Sequence, residues 1–235
     1  MIETLPSFVS ILFILTTIAT LVLFYSVIRN SEYSSKSLFI VLGLIGWLAI
    51  QGVITLSKFY STNTTDLPPK LFFALIPPLL TILILFATKK GRRFIDSLPL
   101  IHLTNLNIVR IPVELVLYWL CLNKAVPELM TFAGRNFDIL SGITAPLVVY
   151  FGFRQQKLSR KVILIWNFIA LALLVNIVTN AILSAPFAFQ KFAFEQPNIA
   201  VLYFPFSWLP AFIVPTVLFG HLVSIRKLLK TEFAE

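Results

Sequence analysis

Long apolar runs separated by short polar segments dominate the chain. Crossing a hydrocarbon core of about 30 Å takes roughly 20 helical residues, and seven runs meet this length within tolerance. They predict transmembrane helices at 8–28, 37–57, 71–88, 105–122, 137–153, 162–184 and 199–225. Because the runs are continuous instead of alternating, they favour helices over barrel strands. The pattern predicts one domain over residues 1–235, an all-α integral membrane protein built as a bundle of about seven transmembrane helices.

The distribution of lysine and arginine predicts the orientation of this bundle. Alternate polar segments place thirteen of these cations on one side and five on the other. Cytoplasmic loops are enriched in lysine and arginine. We therefore expect the N-terminus outside and the C-terminus in the cytoplasm, in a multi-pass protein of the plasma membrane, or of the cytoplasmic membrane if the source is bacterial.

Composition supports the same class. Hydrophobic residues make up 58% of the chain and charged residues 12%, whereas a soluble domain is about half apolar and about a quarter charged. The net charge of +9 would suit nucleic acid only if the cations formed a patch, but they fall in clusters between apolar runs. The expected partner is the lipid bilayer, with a small-molecule, ion or lipid ligand and a partner membrane subunit left open, and no nucleic acid.

The fourth span carries the strongest anomaly. Asn107, Arg110, Glu114 and Tyr118 are spaced three, four and four apart, so they share one helical face. Glu114 falls near the predicted bilayer midplane, where the insertion of an ionised residue costs about 2.5–3.5 kcal/mol. Arg110 lies one turn away and is expected to neutralise it. Either this pair forms the charged floor of a water-accessible cavity, or Arg110 snorkels to the interface and Glu114 is a structural acid.

Further polar side chains fall in the outer half of the predicted bundle. Asn176 and Asn180 lie one turn apart on the sixth span, and Gln51 lies at a comparable depth on the second. Singly, such amides often only bond neighbouring helices. Together, their shared depth predicts a hydrated, ligand-binding pocket that opens outward above Glu114.

The external segment at 127–138 gathers Glu128, Arg135, Asn136 and Asp138 beside Met130 and Phe132. This composition favours a lid that folds over the pocket, with Arg135 paired to Asp138 or Glu128; a plain solvated loop is the alternative. A second external segment, at 187–194, holds four phenylalanines, which is typical of a chain lying in the membrane interface.

The sequence lacks the residues that several kinds of chemistry require. Every lysine lies in a loop or at the end of a predicted helix, so a retinal-type Schiff base is not expected. His102 and His221 are the only histidines, both predicted near the cytoplasmic face, and Cys121 is the only cysteine. We therefore expect no cofactor and no metal site.

These patterns leave three functional hypotheses. The first is a small-solute or ion transporter, or a solute-binding permease component, with its polar site in the outer half of the bundle. The second is a non-transporting scaffold, assembly factor or sensor subunit whose polar residues only pack helices. The third, less favoured, is an intramembrane enzyme acting on a lipid-like substrate. The sequence identifies no substrate, coupling ion, oligomeric state, source organism or catalytic residue.

Overall fold

The computed structural model describes Ile2 and residues 5–232, and within that part of the chain every regular element is helical. The elements are α1 (Ser7–Arg29), α2 (Ser37–Leu56), α3 (Phe72–Ala87), α4 (Lys89–Ser97), α5 (Leu100–Leu122, with a 3-10 turn at Leu106–Val109), α6 (Ile139–Arg154, ending in a π turn at Val149–Arg154), α7 (Arg160–Leu183) and α8 (a π turn at Leu209–Ile213 followed by Val214–Glu232). The predicted all-α class is confirmed.

Five of the described helices are long and apolar enough to cross a membrane: Ser7–Arg29, Ser34–Leu56, Leu100–Leu122, Arg160–Ser184 and Leu209–Lys230. The α3–α4 pair passes the same test together but is bent by 95°, and α6 is a shorter apolar helix. By length and composition, the described helices are therefore suited to span a membrane several times.

Two helix starts differ from the predicted spans by five residues or more, and proline explains both. The fourth helix starts at Leu100 instead of residue 105, because Pro99 is extended and tolerated just before a first turn. The seventh, predicted over 199–225, starts only at Leu209 and continues to Glu232. Pro205 and Pro210 lack the backbone N–H that a continuous helix from residue 199 would need.

A sharp corner joins α3 to α4. Thr88 has an extended backbone (φ −90°, ψ 149°), and its hydroxyl oxygen accepts a hydrogen bond from the N–H of Gly91 at 3.1 Å. A Cβ on Gly91 would lie 2.3 Å from the carbonyl oxygen of Leu85, so only glycine permits this close return of the chain. The corner turns α4, with its lysines and arginines, across the end of α3.

α5 and α8 form the interior of the bundle. Their apolar windows are 56% and 61% buried, whereas those of α1, α2 and α7 are 28–33% buried. The polar side chains enclosed by protein on these two helices include Asn107, Arg110 and Glu114 on α5 and Thr216, His221 and Ser224 on α8.

α6 begins deep inside the bundle. Gly142, in its first turn, lies against Ile111 and the carbonyl oxygen of Asn107, near the middle of α5. The segment of residues 123–138, which we call the inner segment, therefore runs from the end of α5 back to mid-depth. It contains one short 3-10 turn, Glu128–Met130, and buries Ala125, Val126 and Met130 in the main core cluster.

Replacing Gly142 with alanine is expected to destabilise the protein. The added Cβ would lie 2.9 Å from Cγ1 of Ile111 and 3.1 Å from its backbone nitrogen. Overpacking of this kind typically costs about 1–3 kcal/mol. Gly46→Ala is the matched control, because no atom lies within 4 Å of its added Cβ. Thermal unfolding in detergent should show a lower midpoint for Gly142→Ala alone; equal midpoints would contradict the close α5–α6 packing.

Candidate functional site

Arg110 lies at the centre of a buried polar network. Only 3% of this residue is exposed. Its Nη1 donates to Oδ1 of Asp138 at 2.8 Å and to the carbonyl oxygen of Ala170 at 3.2 Å, and its Nη2 lies 2.9 Å from Nε2 of His221. One side chain of α5 thus links the inner segment, α7 and α8.

The contact with Arg110 determines the tautomer of His221. A guanidinium has only donors, so Nε2 of His221 accepts and its ring proton lies on Nδ1. That nitrogen donates to Oδ1 of Asn167 at 3.0 Å, and the amide nitrogen of Asn167 donates to the carbonyl oxygen of Ile163 at 2.9 Å. His221 is therefore held as a neutral imidazole between α5 and α7.

Asn136 connects this network to Glu114. Its amide nitrogen donates to Oε1 of Glu114 at 2.5 Å and to the carbonyl oxygen of Met130 at 3.0 Å. Its side-chain oxygen accepts from the backbone N–H of Asp138 at 3.0 Å. Hydrogen bonds consequently join Glu114, Asn136, Asp138, Arg110, His221 and Asn167, which we call the mid-depth network.

The network leaves several polar atoms without a hydrogen bond among the described residues. These buried atoms include Oε2 of Glu114, Nε of Arg110, Oδ1 of Asn107 and Oγ of Ser141. Native proteins leave few buried polar atoms unpaired, and each such atom calls for an explanation. Their concentration around mid-depth marks this region as the candidate site.

The expected pairing of charges needs a correction. Arg110 makes its ion pair with Asp138 and not with Glu114 one turn away, and Asp138 is therefore not the partner of Arg135. The four residues of the expected lid also do not stay together. Glu128 and Arg135 are exposed, whereas Asn136 and Asp138 are buried in the network. The reason is the path of the inner segment, which enters the bundle instead of covering it.

The remaining predicted ligand residues do not share one pocket. Asn107 is buried and donates to the carbonyl oxygen of Thr104 at 3.1 Å. Tyr118 is half-buried, and its ring stacks on Phe132 with centroids 5.0 Å apart. Asn176 is exposed and donates to the carbonyl oxygen of Arg135 at 3.0 Å.

The other two predicted amides lie apart from the network. The amide nitrogen of Asn180 donates to Oδ1 of Asn176 at 3.4 Å. Gln51 is buried against Tyr60, whose hydroxyl donates to Oε1 of Gln51 at 2.5 Å. Burial raises the pKa of Tyr60 to about 12, so this hydroxyl keeps its proton. Gln51 thus supports the end of α2 and contacts no residue of the network.

Sequence reasoning missed His221 and Asn167. His221 was expected near the cytoplasmic face, yet it is fully buried in the middle of α8. The prolines before residue 211 could have revealed its position. If the final helix is taken to start after Pro205, His221 lies near the centre of that helix. Asn167 carried a weaker signal, as a lone amide in the inner half of an apolar run.

Three cavities lie elsewhere in the described structure. One of about 590 Å³ and one of about 370 Å³ lie between α2 and α3, and one of about 70 Å³ lies between α3, α7 and the start of α8. None of the three is lined by a residue of the mid-depth network.

Comparison with protein families places the chain in a group. A family model described as "Domain of unknown function (DUF8737)" matches residues 67–229, more than two thirds of the chain. The chain belongs to this family. No curated protein and no solved structure matches it. The DUF8737 range contains all six side chains of the mid-depth network, whereas α1 and α2 precede it.

Asp138→Asn is expected to destabilise the protein strongly. The change leaves the buried guanidinium of Arg110 without its counter-charge, and breaking a buried ion pair on one side typically costs about 3–5 kcal/mol. Asp66→Asn, at an exposed position, is the matched control and should change the unfolding midpoint little. The double variant Arg110→Met/Asp138→Leu removes both charges. Its loss in the free energy of unfolding should be smaller than the sum of the losses in Arg110→Met and Asp138→Leu. An additive double variant would contradict the coupling.

Proposed function

We propose that the chain crosses the membrane seven times, with α3 accounting for one crossing and the short α6 for another, while α4 lies across the inner end of α3. The N-terminus lies outside, and the C-terminus lies in the cytoplasm of the cell whose plasma or cytoplasmic membrane holds the protein. The cation count supports this orientation, because exposed Lys36, Lys89, Lys90 and Arg154 all fall on one side of the membrane in the proposed topology.

Cysteine labelling tests this topology. In a Cys121→Ser background, Thr62→Cys lies in the α2–α3 connection and Gln156→Cys lies in the α6–α7 connection, both at exposed positions. A membrane-impermeant maleimide added to intact cells should label Thr62→Cys and spare Gln156→Cys until the membrane is permeabilised. The reverse pattern would invert the orientation, and labelling of both or neither before permeabilisation would contradict an odd number of crossings between them.

We infer that the protein is a proton- or cation-coupled carrier of a small solute, seen in a closed state, with Glu114 as the coupling acid. One observation carries this inference. A non-helical segment brings Asn136 and Asp138 to mid-depth beside Arg110 and Glu114, and one oxygen of Glu114 is left unpaired there.

Irregular backbone at membrane depth is the first support for this proposal. Backbone of this kind is tolerated in a bilayer only where it is buried in protein or lines a water-filled cavity. Interrupted helices near the midplane are also a common way to build the substrate and ion sites of carriers. The inner segment followed by α6 has this form, since the helix starts near the middle of α5.

Charge balance is the second support. Arg110 and Asp138 neutralise each other, and the tautomer of His221 leaves it neutral. Glu114 is the additional carboxyl group, and an isolated buried ion is penalised by several kcal/mol. A proton or a bound cation on Glu114 removes this cost. If Glu114 released this proton or cation on one side of the membrane and bound another on the other side, solute movement would be coupled to an ion gradient.

The inner segment supplies a moving part for such a cycle. Asn136 is the only described side chain that donates a hydrogen bond to Glu114, and its own position depends on Met130 and Asp138. Met130 of the inner segment is buried in the same core cluster as Val113 and Leu117, which flank Glu114 on α5. Withdrawal of the inner segment would break the Asn136–Glu114 bond and admit water from outside.

Carbodiimide labelling tests the role of Glu114 without knowledge of the solute. Dicyclohexylcarbodiimide modifies protonated carboxyl groups in apolar surroundings, and peptide mass spectrometry locates the product. In the membrane-embedded protein, we expect modification of Glu114, lost in Glu114→Gln and retained in Glu128→Gln, whose exposed carboxyl is the control. Modification only after denaturation would contradict exchange at Glu114.

A flux assay tests coupling in the same variants. Proteoliposomes with a trapped pH-sensitive dye are challenged with a panel of amino acids, carboxylic acids and sugars under an imposed pH gradient. A solute that drives proton movement should do so through wild type and Glu128→Gln but not through Glu114→Gln. Unchanged coupled flux through Glu114→Gln would remove the proposed role of this residue.

A non-transporting subunit is the second candidate, and the burial of Glu114 favours it. This residue is only 1% exposed. If the mid-depth network only holds helices together, Glu114→Gln should lower the unfolding midpoint, carbodiimide should not reach the folded protein, and a partner should co-purify in stoichiometric amount.

A further inference from the structure

A long apolar groove runs between α2 and α3, separate from the mid-depth network. We call it the α2–α3 groove; its volume is about 590 Å³, within the range of about 300–1,000 Å³ typical of ligand sites. Ile40, Leu44 and Trp47 form one wall. The other wall includes Pro77 and Thr81, and the floor comes from α1 and α8.

Three hydrogen bonds fix α2 to the start of α8, beside the groove. Pro215 has no N–H to donate to the carbonyl oxygen of Ala211, and the indole N–H of Trp47 donates to that oxygen at 3.0 Å. Two more bonds strengthen this attachment: Trp208 donates to the carbonyl oxygen of Leu48 at 2.9 Å, and the hydroxyls of Thr55 and Ser207 lie 2.7 Å apart. These bonds hold α2 against α8, while the groove separates the inner half of α2 from α3.

The lining favours a hydrocarbon chain over a polar solute. Fourteen of its sixteen residues are apolar or aromatic, and the two threonines are Thr81 and Thr216. Thr81 already donates to the carbonyl oxygen of Pro77 at 2.9 Å. Both Pro77 and Thr81 are exposed in the wall, whereas Phe212, Thr216 and Phe219 are buried beneath them. The groove is thus open from the side, toward the hydrocarbon of the membrane.

The inner mouth of the groove is aromatic and cationic. Tyr33 and Phe94 meet there edge to face, with ring centroids 5.2 Å apart. Nζ of Lys36 lies 5.9 Å from the centre of the Tyr33 ring. On α4, Lys90 lies one turn before Phe94 and therefore on the same face. Two exposed lysines thus flank the opening.

Neighbouring charges leave this mouth positive. Lys89 and Arg93 are exposed on α4, whereas the guanidinium of Arg92 already donates to the carbonyl oxygen of Ala87 at 3.2 Å. The turn between α1 and α2 adds Arg29 and one exposed acid, Glu32. The free cations outnumber this acid.

Ion pairs hold α4 in this position. Asp96 lies two residues beyond Phe94, and its Oδ1 accepts from Nε of Arg226 at 3.0 Å. Its Oδ2 lies 2.5 Å from Nζ of Lys230. The position of α4, which carries Lys90 and the lining residue Phe94, is therefore set by the end of α8.

We propose that the α2–α3 groove binds one anionic phospholipid from the adjoining leaflet. An acyl chain lies along the apolar lining, and the phosphate lies at the mouth between Lys36 and Lys90. Charge complementarity at the mouth selects an anionic over a zwitterionic headgroup, and the lateral opening admits the chain directly from the bilayer. This site is independent of the carrier proposal, since no residue of the mid-depth network lines it.

Native mass spectrometry of the full chain in detergent tests the proposal, by titration with dioleoyl phosphatidylglycerol and dioleoyl phosphatidylcholine. Wild type should bind the first lipid more tightly. Each cation near an anionic lipid contributes roughly fivefold in affinity, so Lys36→Gln/Lys90→Gln should weaken phosphatidylglycerol binding about 25-fold. Arg154→Gln/Lys157→Gln removes two exposed cations on the same side but away from the groove, and should keep wild-type binding.

A second variant tests the acyl chain. Thr81→Trp places a large side chain into the groove from an exposed wall position, leaves every cation in place and should reduce phosphatidylglycerol binding as well. Excess inorganic phosphate should not compete with the lipid. Equal affinity for the two lipids, equal losses in the two charge variants, full binding by Thr81→Trp, or competition by phosphate would each overturn the assignment.

Discussion

The guanidinium of Arg110 is the constraint on which the interior of this bundle depends. A charge at this depth needs a counter-charge and acceptors, and the chain supplies them from three other places: Asp138, the carbonyl oxygen of Ala170 and Nε2 of His221. Asp138 can reach Arg110 only if its segment leaves the surface. The return of the chain into the bundle and the short α6 that follows are the geometric result of satisfying one side chain.

Proline and tryptophan produce a second organisation on the opposite side of α8. Each proline in a helix releases a carbonyl group, which then needs another donor. At Ala211 that donor is the indole of Trp47, so a local break in one helix becomes a tie to its neighbour. This tie holds α2 against the start of α8, and the α2–α3 groove lies beside it.

The length of apolar runs predicted where most helices lie, because a bilayer imposes a minimum span. Arg110 and Glu114 were identifiable because an ionised residue inside such a run is costly. Their partners were not, because depth does not give the direction in which a side chain points. Asn176, Asn180 and Gln51 were expected at one depth above Glu114, but none of them hydrogen-bonds to it. Asp138, expected in a lid, is instead the counter-charge of Arg110. His221 was misplaced because the proline-rich stretch before α8 was counted as helix.

The inner segment also has a consequence for biogenesis. Its polar groups at Asn136 and Asp138 are satisfied by α5, and the guanidinium they meet also depends on α7 and α8, which are synthesised later. During synthesis, α6 therefore leaves the ribosome before all of the structure that receives its N-terminal end exists. α6 can therefore reach its final position only after α8 has been synthesised. Assembly of the interior is completed only after the C-terminal quarter of the chain has been translated.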